Sequence, residues 1–524
     1  MIRQRLKQIL QRAFPGEEIV IDYVPKGKRG DYFTNIAFRM AAQRKKDPYA
    51  VAQELTKDIQ DTMISSVAVE KPGFINVSID REYLLHVLFE EETMVNIGHS
   101  QLVLIEYVSV NPTGPISVVN ARAAAVGDAL IRIMKQVGFK SAAEYYVNDT
   151  GRQTQLLAES VRQRVNQLRG EKAKIPEHGY HGEYLLDVAQ KVIDRRLEGS
   201  EAIENFAVNY FINSQKETLE RFGVIFDNWV RESDIRKTGL IDHVLATLNE
   251  KKLTYREEDA VFFRTTNFGD DRDRVIVTSD GRHTYLLPDI AYHLNKIKRN
   301  YSRLIDIWGP DHYGHIKGLT GGIVALGYPE DTLRVLIVQE VKLKKTGEYV
   351  TMSKRAGTVA TLDDLLDHVP TDVVRFFLLM RSCSQHLDFD LDLALRESED
   401  NPVYYVQYAH ARIKSIMQFA REKGIEPSAD FDYRCITQDE EITLAKAILR
   451  FPEMLEDVTR NLEPSYVTHY LTDLAHAFHY FYQKHRVVSD DENMTRARLA
   501  LIGKVAETIR SGCALIGVSA PEKM

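Results

Sequence analysis

Cysteine is scarce: three residues in 524, Cys383, Cys435 and Cys513, lie far apart with no Cys-x-x-Cys pair. That argues against a disulfide framework or a cysteine zinc knuckle and fits a reducing compartment. No stretch approaches the roughly 18 uncharged apolar residues that a membrane span needs. The amino terminus, Met1-Ile2-Arg3-Gln4-Arg5-Leu6-Lys7, lacks the apolar run and small-residue cleavage site of a secretory signal. Basic charge is not in excess either, with 68 Lys and Arg against 75 Asp and Glu, a net charge of −7. A nucleic-acid partner must therefore be met by local patches. Gly-x-Gly-x-x-Gly and Walker patterns are absent, so neither a dinucleotide enzyme nor a P-loop kinase is supported. The expectation is a soluble protein of the cytoplasm.

With 44% apolar and 27% charged residues the composition is that of a globular chain, long enough for about three to four domains. Residues 1–97 read as a small α+β unit. Ile2, Leu6, Ile9 and Leu10 fall at helical spacing, Ala50 to Ile59 is amphipathic, and Phe74 to Ile79 alternates like a strand. The first thirty residues hold seven cations against three acids, which is either a solvated helix face or a basic patch. Residues 98–370 alternate strands and helices: Leu102 to Val108, an Ala-rich helix ending at Gly138, Glu144 to Val147, Leu304 to Trp308 and Val335 to Val338. This pattern predicts a parallel, doubly wound, Rossmann-like α/β sheet, with mostly helical material at about 150–260 inserted between its halves. Over 371–524 strand signals vanish. Val373 to Met380, Asn401 to Phe419, Glu440 to Glu456, Tyr466 to Lys484 and Asn493 to Leu515 predict an all-α bundle.

Two segments of the middle unit suit phosphate chemistry. Asn111 to Asn120 lies where the first parallel strand turns into a helix, a place where free N–H groups and the positive helix end face a ligand. The alternative is an ordinary connection. Val350-Thr351-Met352-Ser353-Lys354-Arg355-Ala356-Gly357 is a basic loop able to stabilise charge on a phosphate in displacement, or one merely solvated.

Their combination resembles the layout of class I aminoacyl-tRNA synthetases. The flanking residues narrow the resemblance to arginyl-tRNA synthetases: Asn111-Pro112-Thr113-Gly114-Pro115, Tyr146-Val147-Asn148-Asp149, Asn267 to Asp271, Tyr285 to His293, Trp308-Gly309-Pro310-Asp311-His312, Met352 to Gly357, Asn401 to Arg412 and Ser519 to Met524. It runs from Gly30-Asp31-Tyr32 to the last residue.

The resemblance implies an arginine–tRNA ligase. Arginine carboxylate attacks the α-phosphate of ATP, and the arginyl group then moves to the terminal adenosine of arginine tRNA. It further implies Mg²⁺, a tRNA requirement for the first step, and a monomer. Glu106, Asn111, Tyr285 and Asp289 would hold L-arginine, unless Glu106 and Asp289 are salt-bridged structural acids. Pro112, Gly114, Val119, Gly309, Asp311, His312 and Met352 would line the ATP site, and Ser117, Asn120, Ser353, Lys354 and Arg355 would act in catalysis. His312 and His315 as a zinc pair is the weaker reading, because no further ligands are in view. Phe74 and Asn76 would touch the tRNA D-loop, with core packing an alternative for Phe74. Tyr405, Tyr408, His410, Arg412 and Met524 would meet the anticodon, although a Tyr stripe at helical spacing also suits a core.

The chain departs from the family where a His, an apolar residue, Gly and a second His or Asn are usual. Here the sequence is Ser117-Val118-Val119-Asn120, and Thr351 replaces the first Lys of the second signature. Loss of one transition-state donor costs about 10²- to 10³-fold in rate. The alternative is therefore a weak or inactive paralogue that binds tRNA or arginine in another role.

Overall fold

The computed structural model describes residues 1–25, 27–91, 95–350, 361–426 and 431–524. At its centre is a five-stranded parallel sheet. Its strands are β1 (Leu102–Glu106), β2 (Lys140–Val147), β3 (Asn228–Arg231), β4 (Arg303–Trp308) and β5 (Leu333–Ile337), in the order β5-β4-β1-β2-β3. Val103, Leu104 and Ile105 are each at most 1% exposed, as expected of a strand covered on both faces. Helix α1 (Val118–Gln136) links β1 to β2, and helix α2 (Leu286–Lys298) precedes β4. Strand order reverses between β4 and β1, so the carboxyl ends of these two strands open on the crevice where such sheets bind ligands.

Helix α1 is the hub of the molecule. Its Gly127 faces the Tyr107 ring so closely that a Cβ there would lie 2.3 Å from the ring. Arg122, fully buried, has no carboxylate partner among the described residues. Its guanidinium donates to four carbonyls, those of Gln339 (3.0 Å), Gln385 (2.7 Å), Arg381 (3.0 Å) and Ser382 (2.9 Å). Asp128 pairs with buried Arg375, which also donates to the carbonyls of Ile516 (2.8 Å) and Phe222 (3.1 Å). One helix is thereby tied to the insertion, to the segment at 381–385 and to the carboxyl-terminal turn.

The amino-terminal unit packs helices on a four-stranded antiparallel sheet ordered Ile21–Tyr23, Tyr32–Thr34, Phe74–Ile79, Ile64–Glu70. It meets the carboxyl-terminal bundle at Glu453. That carboxylate accepts from the Arg3 backbone N–H (2.7 Å), the Tyr23 hydroxyl (2.7 Å) and the Tyr32 hydroxyl (3.1 Å). The bundle consists of Pro402–Glu422, Asp439–Leu449, Phe451–Asn461, Ser465–Lys484 and Glu492–Leu515, around a core that includes Leu471, Phe478, Ile502 and Ile509. No helix among the described residues is long and apolar enough to cross a membrane.

Three expectations need correction. The span at 150–260 is mostly helical as expected, but it is not purely an insertion between the halves of the sheet, since β3 lies within it and forms one edge of the main sheet, and a small antiparallel sheet (Thr254–Glu257, Ala260–Phe263, Arg274–Val277) begins before its end. β3 is only four residues long, with Trp229 and Val230 between Asn228 and Arg231, too short a pattern to stand out. Strands do not cease at 371: Leu387–Asp390, with Leu387 and Phe389 facing in, pairs in parallel with Val341–Lys345. The run from Glu440 to Glu456 is two helices that break at Arg450, because Pro452 has no N–H to continue the first.

Gly127→Ala tests the packing of α1. In open helix the change would favour folding by roughly 0.5–1 kcal/mol. Against Tyr107 it is expected instead to destabilise by about 1–3 kcal/mol, read as a lower midpoint in thermal unfolding.

Candidate active site

Three carboxylates stand side by side at the carboxyl edge of the sheet, because Asp306 of β4, Glu106 of β1 and Glu144 of β2 are register partners. Neighbouring strands lie about 4.8 Å apart, so three like charges in a dry site would repel strongly. Helix α2 answers them. Lys296 Nζ bonds to Glu106 Oε2 and, at 3.0 Å, to Asp306 Oδ1. It also lies 4.4 Å from the centre of the Tyr292 ring. His293 donates from Nδ1 to the Asp289 carbonyl (2.8 Å) and sets Nε2 2.7 Å from Asp306 Oδ2. One turn on, Arg299 holds Glu144 through two bonds (2.6 and 2.8 Å), and the Tyr292 hydroxyl donates to the same carboxylate (2.6 Å).

Burial pushes the Asp306, Glu106 and Asp289 carboxyls up, and their neighbours decide the outcome. At Asp306, burial is outweighed by Lys296 and His293, which hold the carboxyl well below the usual range. Glu106 remains raised, with burial and Asp306 exceeding the pull of Lys296. Among the described residues Asp289 bonds to no cation, and it is pushed up to about 7 by burial, reinforced by Glu106, Asp306 and Glu232 against the opposing His293. Four carboxylates (Glu106, Glu144, Asp289 and Asp306) thus face two permanent cations, Lys296 and Arg299. A pocket with surplus negative charge is built for a cationic ligand, and paired carboxylates suit a planar guanidinium. Tyr285, 76% exposed, stands at the start of α2 beside the opening.

After β1 the chain enters left-handed backbone at two non-glycine residues, Val108 (φ 68°) and Ser109 (φ 42°), a conformation that the surroundings must hold in place. The turn aims the Ser109 hydroxyl to donate to Glu106 Oε1 (3.0 Å) and to accept from the Tyr146 N–H (3.1 Å). The next residues are gripped from the insertion. Buried Gln215 donates to the carbonyls of Asn111 (3.1 Å) and Gly114 (2.9 Å) and accepts from the Tyr145 hydroxyl (2.9 Å), while the Tyr184 hydroxyl donates to the Thr113 carbonyl (3.1 Å). Gly114 is needed here, since a Cβ would come within 3.2 Å of that hydroxyl. Pro112 is buried in the same turn and Asn111 is half-buried.

Ser117 and Asn120 are brought together, but on each other. The Ser117 hydroxyl donates to Asn120 Oδ1 (2.5 Å) and accepts from the Asn120 N–H (3.4 Å), a capping box at the start of α1. Val119 beside them is 40% exposed. Thr361 bridges to Ser117, and the Leu362 N–H donates to the Ile116 carbonyl (2.8 Å). Met352, Ser353, Lys354 and Arg355 lie outside the described residues. Across the crevice, after β4, exposed Gly309 caps a 3-10 helix (Pro310–His315) that carries exposed Asp311 and His312, with the His312 and His315 rings 6.1 Å apart. Among the described residues no group of three or more His, Cys, Asp or Glu could hold a metal ion, so the zinc reading of these histidines lacks ligands.

Farther away, Phe74 is half-buried against Phe38 and Phe33, and Asn76 is 4% exposed with its amide donating to the Arg29 carbonyl (2.8 Å). In the bundle Tyr405 packs on His476 and His479 (4.6 and 4.7 Å), Tyr408 stacks on His479 (5.9 Å), and Arg412 lies over Tyr482. His410 differs from these. It is 1% exposed and bonds through Nδ1 to the Pro521 carbonyl (2.8 Å), so it holds the carboxyl-terminal segment whose last residue, Met524, is 52% exposed. Sequence reasoning missed Glu144, Gln215, His293, Lys296, Asp306, His476 and His479. Gln215 and Lys296 did leave a signal, as polar side chains on otherwise apolar helix faces.

Residues 1–79 match the family described as "Arginyl tRNA synthetase N terminal domain", residues 84–375 "tRNA synthetases class I (R), catalytic domain", and residues 406–524 "DALR anticodon binding domain". A Bacillus licheniformis protein named arginine–tRNA ligase is 41% identical over 547 aligned positions, covering 100% of this chain and 98% of its own. A Bacillus subtilis protein of the same name matches equally well, at 41% identity with the same coverage. Among solved structures, Thermus thermophilus arginyl-tRNA synthetase shares the fold with a TM-score of 0.83 at 22% identity, over 100% of this chain and 99% of that one.

The raised Asp289 carboxyl makes stability depend on pH. Its proton is bound more tightly in the folded chain than in the unfolded one, so its contribution is present below about pH 4 and lost as pH rises through about 7. Without ligand, Asp289→Asn should therefore gain about 1–2 kcal/mol over the parent between pH 5.5 and 8. Paired melting curves across that range check this, and a gap constant with pH would contradict it.

Proposed function

The chain belongs to the arginyl-tRNA synthetase family and is an arginine–tRNA ligase, and from that premise we propose how its own residues divide the work. It uses ATP and arginine to charge tRNA. Glu106, Asn111, Tyr285 and Asp289 hold L-arginine. The observation that carries this assignment is the surplus of carboxylates on the crevice, with Asp289 bonded to no cation among the described residues and open to the guanidinium or ammonium of a ligand.

ATP occupies the far side of the crevice, between Pro112, Gly114 and Val119 on one wall and Gly309, Asp311 and His312 on the other; Met352, which lies outside the described residues, is assigned to ATP by the family resemblance alone. An α-carboxylate oxygen of arginine attacks the α-phosphorus, the new C–O–P linkage forms, and the α–β bridging oxygen leaves with pyrophosphate. A hydroxyl of the terminal tRNA adenosine then attacks the carbonyl carbon, and AMP leaves. Both steps depend on positioning and on stabilising charge. Lys354, Ser353 and Arg355 supply that charge. Ser117 and Asn120 act through the start of α1, where their capping box leaves the free N–H groups of the first turn aimed at the phosphates.

Mg²⁺ enters with ATP. The described residues offer no protein cage, and Mg²⁺ is commonly held by substrate phosphates and water. Residues 1–97 meet the tRNA D-loop through Phe74, with buried Asn76 acting through the Arg29 carbonyl that its amide holds, residues 98–370 carry out the chemistry, and residues 371–524 meet the anticodon through Tyr405, Tyr408, Arg412 and Met524, with His410 acting through the terminal segment. The family resemblance implies a monomer, and the free cysteines suit a reducing cytoplasm. No observation favours the inactive paralogue.

The test is arginine-dependent exchange of pyrophosphate into ATP, with and without arginine tRNA. Exchange is expected when tRNA is present, and none in either condition would overturn the assignment. In the same assay Asp289→Asn should raise the KM for arginine by about 10²-fold, the scale of losing one partner of a buried charge pair, with the KM for ATP little changed.

A further inference from the structure

Lys296 is the one cation buried within the acid row, and the assignment of Glu106 to arginine gives it no role of its own. We propose that Lys296 is a positioning residue for arginine recognition: it holds the Glu106 carboxylate ionised and aimed at the crevice, against the charges of Asp306 and Glu144 on either side. This rests on the reading of Glu106 as an arginine contact.

The geometry supports this role. Lys296 is fully buried, and its ammonium reaches Glu106 and Asp306 together. Glu106 is fixed at both oxygens, by Ser109 at Oε1 and by Lys296 at Oε2, which leaves the remaining lone pairs of a carboxylate for a ligand. The other charged and titratable groups around Glu106 cannot take the place of Lys296. Arg299 is committed to Glu144 through two bonds, and His293 faces Asp306. Tyr292 donates to Glu144, and Asp289 adds a further negative charge. With Lys296 gone, Glu106 would stand between two carboxylates with no cation among the described residues touching it, and its carboxyl would be pushed further up toward the protonated form. The pocket would then lose the charge that distinguishes arginine from a neutral analogue.

Lys296→Met keeps the length of the side chain and removes the charge. In tRNA-dependent pyrophosphate exchange, the KM for arginine of the parent should change less than threefold between pH 7.5 and 9. In Lys296→Met it should be raised about 30-fold at pH 7.5 and fall about tenfold toward pH 9 as Glu106 ionises, while the KM for ATP stays within threefold. Asp306→Asn removes a negative charge from the same cluster and leaves Lys296 to Glu106 alone, so it should shift the arginine profile the opposite way, to lower pH. It also serves if Lys296→Met does not fold. A rise in both KM values without pH dependence, or the same direction of shift in both variants, would show a packing role only and overturn the proposal. Glu106→Gln separates the two readings. An unchanged arginine KM in that variant removes Glu106 from the pocket, whereas a raised one beside a flat Lys296→Met profile refutes the role of Lys296 alone.

Discussion

The placement of three carboxylates in register across three adjacent parallel strands is the constraint on which the site depends. Asp306, Glu106 and Glu144 sit where the sheet ends and the crevice opens. Such a row is tolerable only if something neutralises it without filling the space a ligand needs. Helix α2 does so from one side, placing His293, Lys296 and Arg299 so that each faces a carboxylate of the row. The partial neutralisation leaves Asp289 under pressure to keep its proton until a cation arrives. Substrate binding and the local cost in stability are two sides of one electrostatic arrangement.

The phosphate side is organised differently, by backbone. The turn after β1 is left-handed at Val108 and Ser109 and is then gripped through its carbonyls by Gln215 and Tyr184 from the insertion. Side chains from a remote helix thus decide where the N–H groups of the turn point. The unusual Ser117-Val118-Val119-Asn120 gains a physical meaning here, because Ser117 and Asn120 complete the helix cap themselves. In this chain the start of α1 is a self-capped element, and under the proposed assignment it would present backbone rather than imidazole to a phosphate.

Buried charges also connect the three units. Glu453 joins the amino-terminal sheet to the bundle through Arg3, Tyr23 and Tyr32, and Arg375 joins α1 to the insertion and to the carboxyl-terminal turn. Breaking one partner of such a pair is costly, since the other is left buried and uncompensated. These contacts tie the amino-terminal sheet and α1 to the rest of the molecule through groups that cannot be lost singly.

Much was legible without coordinates. Local periodicity marked β1, α1, β4 and the bundle helices, because a strand covered on both faces reads as an unbroken apolar run and an amphipathic helix as a 3.6-residue period. The motifs Asn111 to Pro115 and Tyr285 to His293 located the crevice and carried the family resemblance. Short, half-polar strands such as Asn228–Arg231 and Leu387–Asp390 were not legible, since pairing with distant partners, rather than their own pattern, makes them strands. Neither were the partners of Glu106, because Lys296 lies 190 positions away and Asp306 is adjacent only across the β4–β1 register. The sequence by itself determined which residue types could recognise arginine and phosphate, since that depends on chemistry carried by each side chain. Only the tertiary structure decided which carboxylates are neutralised and which is left to the ligand, because charge interactions depend on separation and burial, and both are set when the strands align.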